Sequence, residues 1–158
     1  MRGAARTAPG PGTSGYSGTP LAQKLGIRAG SRLYLEAAPS NYSELLAPLP
    51  ADVQSVPHID ARTDIIHLFA TRRTELRTLL RATRQAMRPD AILWVSWPKR
   101  AARVPTDITE DVIRGLALPM DLVDIKVCAV DATWSGLKLM VRRARRTAPP
   151  TPKQPRSR

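Results

Sequence analysis

An open, mostly parallel α/β sheet with helices on both faces and an antiparallel C-terminal hairpin is the fold class this sequence predicts, and three observations predict it. Asp64–Phe69 and Ile92–Val95 are nearly continuous apolar runs rich in β-branched and aromatic residues, the pattern of strands covered on both faces. Between them lies one amphipathic segment of about four turns, so the three pieces read as a parallel βαβ unit. The last two apolar runs, Met120–Val130 and Gly136–Arg143, are joined by a linker short enough for a hairpin.

Taken in order, residues 1–18 are rich in Gly and Pro and bury too little to order themselves. Thr19 to Gly26 then reads as a compact helix, with Thr19 as cap, Pro20 at the first helical position and Gly26 ending it. Arg32–Ala37 is a first strand, Ser40 caps a short helix through Leu46, and Asp52–Val56 is a short peripheral strand. In the central helix Leu76, Leu79, Leu80, Thr83 and Met87 share one stripe, while Arg77, Arg81, Arg84 and Arg88 form a basic stripe beside it. Thr71 or Thr74 is placed to cap its start, and Pro89 stops it. Lys99–Pro105 is a basic loop, after which Thr106 caps a helix carrying Asp107, Glu110 and Asp111 early and Ile108, Val112, Ile113 and Leu116 on its buried stripe.

With 158 residues there is room for one α/β domain, assigned to 16–143, between a disordered extension over 1–15 and a disordered basic, Pro-rich tail over 144–158. No run approaches the ~18 apolar residues of a membrane helix, and the expected location is cytoplasmic. The net charge is +12, but residues 17–143 hold 18 basic and 13 acidic side chains, a net +5. The tails supply the rest, so weak, nonspecific nucleic-acid binding through them is expected from charge alone. Cys128, the one cysteine, lies in an apolar run and reads as a small buried residue. His67, inside an apolar strand, reads as a buried, hydrogen-bonded imidazole, and neither it nor His58 has metal-ligand spacing to other donors, so no metal is expected.

Three stretches, Tyr16–Ile27, Leu93–Lys99 and Val127–Lys138, resemble those of a family of small uncharacterised bacterial proteins, a domain of unknown function, over residues 16–143. The element order is similar to methyltransferase-like Rossmann folds, and Met87–Val95 resembles the turn before the fifth strand of S-adenosylmethionine-dependent methyltransferases. Those enzymes bring a glycine-rich turn after strand one. Here Glu36-Ala37-Ala38-Pro39-Ser40-Asn41-Tyr42 contains no glycine, Pro39 lacks an amide donor, Tyr42 adds bulk, and Asp60 comes late for the acid that closes strand two.

In a doubly wound sheet ligands sit beyond the carboxyl ends of the strands. That rule gathers Ser40, Asn41, Tyr42, Arg72, Trp97, Lys99, Arg100 and, after the basic loop, Asp107 as candidate ligand-binding residues, suited to an anion on a planar or apolar body. The competing reading makes the cations solvated loop charges and Trp97 a plug. Asp131, Trp134 and Ser135 in the hairpin turn, with Arg77, Arg81, Arg84 and Arg88, are candidate partner surfaces, while Trp134 is expected to pack on the body. No catalytic residue and no cofactor are assigned. The resulting expectation is a non-catalytic binding or regulatory module for an anionic ligand or a protein partner. The alternatives are a divergent S-adenosylmethionine-dependent methyltransferase and a nucleic-acid accessory protein.

Overall fold

A computed structural model describes residues 18–146. Six strands form one sheet in the order β2-β1-β3-β4-β6-β5: β1 (Arg32–Glu36), β2 (Gln54–Ser55), β3 (Ile65–Phe69), β4 (Ile92–Pro98), β5 (Leu122–Ala129) and β6 (Trp134–Val141). The first four run parallel, and β6 enters antiparallel between β4 and β5. From β1 the chain goes out to β2 at one edge and returns to β3 on the other side of β1, so strand order reverses there.

The continuous apolar strands divide their residues between two cores. Ile66, Leu68, Leu93 and Val95 face α3 (Arg73–Ala86) and α4 (Glu110–Ala117); Ile65, Phe69 and Trp94 face α1 (Leu21–Leu25) and α2 (Tyr42–Leu46). All five β3 residues are buried, as a strand covered on both faces requires. Trp94 is fully buried and its indole Nε1 donates to the Leu25 carbonyl at 2.9 Å, which pins α1 to the sheet. Gly26 ends α1 with φ +88, and its amide reaches back to the helix carbonyls.

The predicted caps are where sequence and structure part. Thr19 does not cap α1, which begins at Leu21 after Pro20, and Ser40 does not cap α2, where Asn41 holds the cap position without a side-chain bond. Neither Thr71 nor Thr74 caps α3. Its first amide, Arg73 N–H, donates to Asp107 Oδ1 at 2.7 Å, from 34 residues away. Thr106 is freed from the expected cap, donating to the Thr71 carbonyl and accepting from the Ile108 amide, and Thr109 caps α4 by accepting from Val112. Cys128 is half-buried rather than buried. The predicted disordered tail begins inside a short helix, α5 (Arg143–Arg146); the rest of the tail and the 1–15 extension lie outside the described residues. Among the described residues no helix is long and apolar enough to cross a membrane.

Candidate functional site

Register brings the exits of the parallel strands to one edge. Leu35, His67 and Trp94 lie side by side, as do Glu36, Leu68 and Val95, so the segments starting at Ala37, Ala70 and Lys99 all leave from the same end of the sheet. Ser40 and Asn41 stand exposed in the first of these loops, Arg72 in the second and Arg100 in the third, where Lys99 is half-buried. Two candidates are not in the crevice. Trp97 is 8% exposed and packs in the α3/α4 core, and Tyr42 is 4% exposed and turns beneath the loop. Asp107 is committed to the start of α3.

The candidate partner residues separate in the same way. Asp131 Oδ1 accepts from the Thr133 and Trp134 amides, 2.8 Å each, and so builds its own turn. Trp134 meets Phe69 edge-to-face at 5.0 Å, packed on the body as expected, with half-buried Ser135 beside it in β6. Arg77 and Arg81 are exposed, but the stripe does not continue as a free surface. Arg84 Nε donates to the Met120 carbonyl, and Arg88 is paired with Asp64 and Asp90, each at 2.8 Å.

The turn after β1 has a feature that its lack of glycine concealed. Among the described residues, Ala37, Asp52, Arg103 and Asp121 are the non-glycine positions with positive φ. Asp tolerates that region; Ala and Arg seldom enter it. Ala37, at φ +59, directly follows β1, and Arg103, at φ +57, lies in the loop after β4, so both belong to the same edge. Ala37 thus makes the left-handed turn for which glycine is the usual residue, at a cost of order 1 kcal/mol that the surrounding contacts must offset.

Below this loop runs a buried polar chain. The Tyr42 hydroxyl lies 2.7 Å from His67 Nδ1, and His67 Nε2 lies 2.7 Å from Ser96 Oγ, joining α2, β3 and β4. Phe69 stacks on the imidazole at 4.2 Å, and Tyr42 sets its edge against both rings. Burial pushes the imidazole down to about 3 and the Tyr42 phenol well above its usual range. The ring is therefore neutral, as a buried histidine with no acid beside it should be. The sequence could suggest a satisfied His67, but not its partners 25 and 29 residues away.

Two hollows adjoin the edge. One, of about 350 Å³, opens between the β1/β2 end of the sheet and α3 and is lined by Glu36, His58, Ile59 and Leu79 among others. It exists because the segment from β2 to β3 carries no helix to cover that face. In its wall the Tyr34 hydroxyl donates to Glu36 Oε1 at 2.6 Å, while Asp60, outside the lining, accepts at Oδ1 from the Arg62 amide and the Thr63 hydroxyl. The other, about 220 Å³, lies among Thr71, Arg72, Pro105, Thr106 and Asp107. A third hollow lies elsewhere, lined by Arg28, Asp64, Arg88 and Asp90. Among the described residues no group of three His, Cys, Asp or Glu could hold a metal ion.

No family model matches the chain and no curated protein matches it in sequence, so the resemblance to small bacterial proteins rests on its three motifs. Solved structures do match. A methyltransferase dependent on S-adenosylmethionine from Aquifex aeolicus superposes with TM-score 0.57 at 13% identity, covering 77% of this chain and 87% of its own. A candidate type 11 methyltransferase from Sulfolobus solfataricus gives 0.56 at 11%, covering 77% and 89%. Aeropyrum pernix fibrillarin, with natively bound S-adenosyl-L-methionine, gives 0.51 at 11%, covering 76% and 73%. At these identities the likeness establishes a methyltransferase-like α/β fold. It also corrects the expectation of a non-catalytic module: two of these structures are named as methyltransferases and the third holds S-adenosyl-L-methionine, which favours the alternative.

Proposed function

We propose that this protein is an S-adenosylmethionine-dependent methyltransferase whose cofactor lies across the ends of β1, β2 and β3. The observation that carries this reading is the Ala37 turn. It stands at the point where strand order reverses, where such sheets receive their ligands, and its backbone holds a strained left-handed conformation of the kind that clusters at functional sites.

The residues present fit the cofactor. Glu36 offers a carboxylate to hydroxyl groups and Ile59 and Leu79 offer apolar walls to a flat ring, while the Ala37–Asn41 loop, which follows Glu36 beyond that lining, carries two alanines. Tyr42 adds no bulk there, since it is buried under the loop. When bound, the group supplies an electrophilic methyl on a sulfonium. The task left to this chain is alignment of an acceptor at the edge and exclusion of water, which needs no covalent protein intermediate.

Isothermal titration tests this. Wild type and Ala37→Gly should bind S-adenosylmethionine and S-adenosylhomocysteine, Ala37→Val should lose binding because a β-branched residue resists positive φ, and Glu36→Gln should weaken it about tenfold, the scale of a lost charge-assisted hydrogen bond. No binding by wild type at millimolar ligand, or unchanged binding by Ala37→Val, would refute the reading.

A further inference from the structure

We infer that the acceptor is a nucleic acid, held by its phosphates on the arginine surface formed by α3 and the loops at its N-terminal end; this rests on the methyltransferase reading and names the substrate class for that site. The arginines of the described residues differ in their partners; Arg28 and Arg62 are exposed without an ion pair but precede β1 and β3, at the opposite end of the sheet. Arg88, Arg114, Arg142 and Arg145 are each bound to one or more carboxylates. Arg72, Arg73, Arg77, Arg81, Arg100 and Arg103 are all exposed and form no ion pair, and every one lies on α3 or on the loops at the edge with the candidate site.

The acids near these cations do not neutralise them by pairing. Asp107 is engaged by the Arg73 amide, Asp131 by two amides of its own turn, and Glu36 by the Tyr34 hydroxyl. Arg73, Arg77 and Arg81 recur at i, i+4 and i+8, so they rise along one side of the helix about 6 Å apart, over roughly 12 Å. Glu75 falls two residues on from Arg73, around the other side of the helix. Like charges at that spacing destabilise a helix, and a bound polyanion reverses the sign of the effect.

The loop carrying Arg103 is fastened to the α3 N-terminus by the Thr106–Thr71 and Asp107–Arg73 hydrogen bonds, so the helical row and the loop cations make one continuous surface with the hollow at Thr71 and Arg72 between them. Guanidinium groups match phosphate oxygens in pairs. An anionic membrane would need apolar side chains interleaved with the cations, and of the exposed large apolar residues only Val104 lies in these loops. Trp97 is buried and Trp134 packs on Phe69 on the sheet face opposite α3, so the arginine surface has no indole for base stacking; it positions a strand by its backbone and does not read sequence.

The test is fluorescence anisotropy of labelled 20-nucleotide RNA and DNA oligonucleotides with the full chain across a salt series. Arg77→Gln/Arg81→Gln is compared with Arg28→Gln/Arg62→Gln, which removes the same charge away from α3. The α3 pair should weaken binding at least tenfold and flatten the slope of log affinity against log salt by about 1.4, at ~0.7 per single-strand phosphate, while the control pair changes affinity less than twofold. Equal losses in the two pairs, or no loss in either, overturn the inference, as does α3-dependent binding to phosphatidylserine vesicles without oligonucleotide binding. Titration of the same variants with S-adenosylmethionine separates the two readings. Cofactor binding intact with no α3-dependent oligonucleotide binding defeats this inference alone, whereas wild type that binds no cofactor defeats the methyltransferase reading and the acceptor role with it.

Discussion

Acidification should weaken this fold through a single residue. His67 is fully buried, and burial holds its imidazole at about 3 against 6.5 in a solvated chain. The folded value lies below the unfolded one, so on acidification the unfolded chain takes up a proton first, and stability is lost progressively as pH falls below 6.5. Hydrogen bonding alone would not forbid a charged ring, since oxygens of Tyr42 and Ser96 face both nitrogens. Its rings and neighbours carry no negative charge, however, and desolvation decides.

At 1.36 kcal/mol per unit, moving from pH 7 to pH 5 should cost about 2 kcal/mol, equivalent to a fall of about 1 M in a urea midpoint for a domain of this size. The other displaced groups titrate outside that window. Asp60, Asp64 and Asp124 are held below the ordinary 3.8, Cys128 is raised above 9.0, and Lys138, though lowered by burial, starts from 10.5. The assay is urea unfolding at pH 7 and pH 5 on wild type and on His67→Gln, which is less stable at pH 7 but should lose little more at pH 5. An equal loss in both proteins, or a His67 ring resonance that titrates near pH 6, would refute the assignment.

Three further substitutions probe the frame around the site. Asp107→Ala should cost about 1 kcal/mol in unfolding free energy, the usual worth of a helix cap, with Asp107→Asn restoring most of it. Gly136→Ala should cost about 1–3 kcal/mol, because its Cβ would come within 3.2 Å of Trp94 Cε3 and the indole is tied to Leu25; a smaller loss in thermal unfolding would mean that Trp94 can move. Tyr42→Phe should cost about 1–3 kcal/mol by leaving the His67 Nδ1 side unpartnered, and should weaken S-adenosylmethionine binding as well if the hydroxyl anchors the loop above it.

What the sequence disclosed was set by range. The β3-α3-β4 unit was legible because its signals are local: two apolar runs, one leucine stripe and a proline stop, with Ile66, Leu68, Leu76, Leu80 and Leu93 all buried where the pattern put them. The caps were not, because Asp107 reaches α3 across 34 residues while Thr71 and Thr74, nearer in sequence, have other surroundings. Arg84 and Arg88 continue the Arg77 and Arg81 spacing without interruption. Only the position of the Met120 carbonyl and of Asp64 and Asp90 shows that two of the four are structural.

Tyr42 is the most instructive misreading. Its bulk counted against a cofactor at the β1 turn, yet the phenol is long enough to pass under the loop and meet His67 inside the core. The same bond bears on Ala37. A left-handed alanine persists only where its neighbours over-determine it, and here β1 fixes the chain on one side while Tyr42, five residues on, is held by its hydroxyl to the central strand on the other. Glycine would adopt the turn without strain, but it would also allow many others. An alanine clamped between a strand and a buried hydrogen bond presents one backbone shape, which makes this turn a pre-organised one, and it places the rigidity of the proposed cofactor loop in the Tyr42–His67–Ser96 chain beneath it.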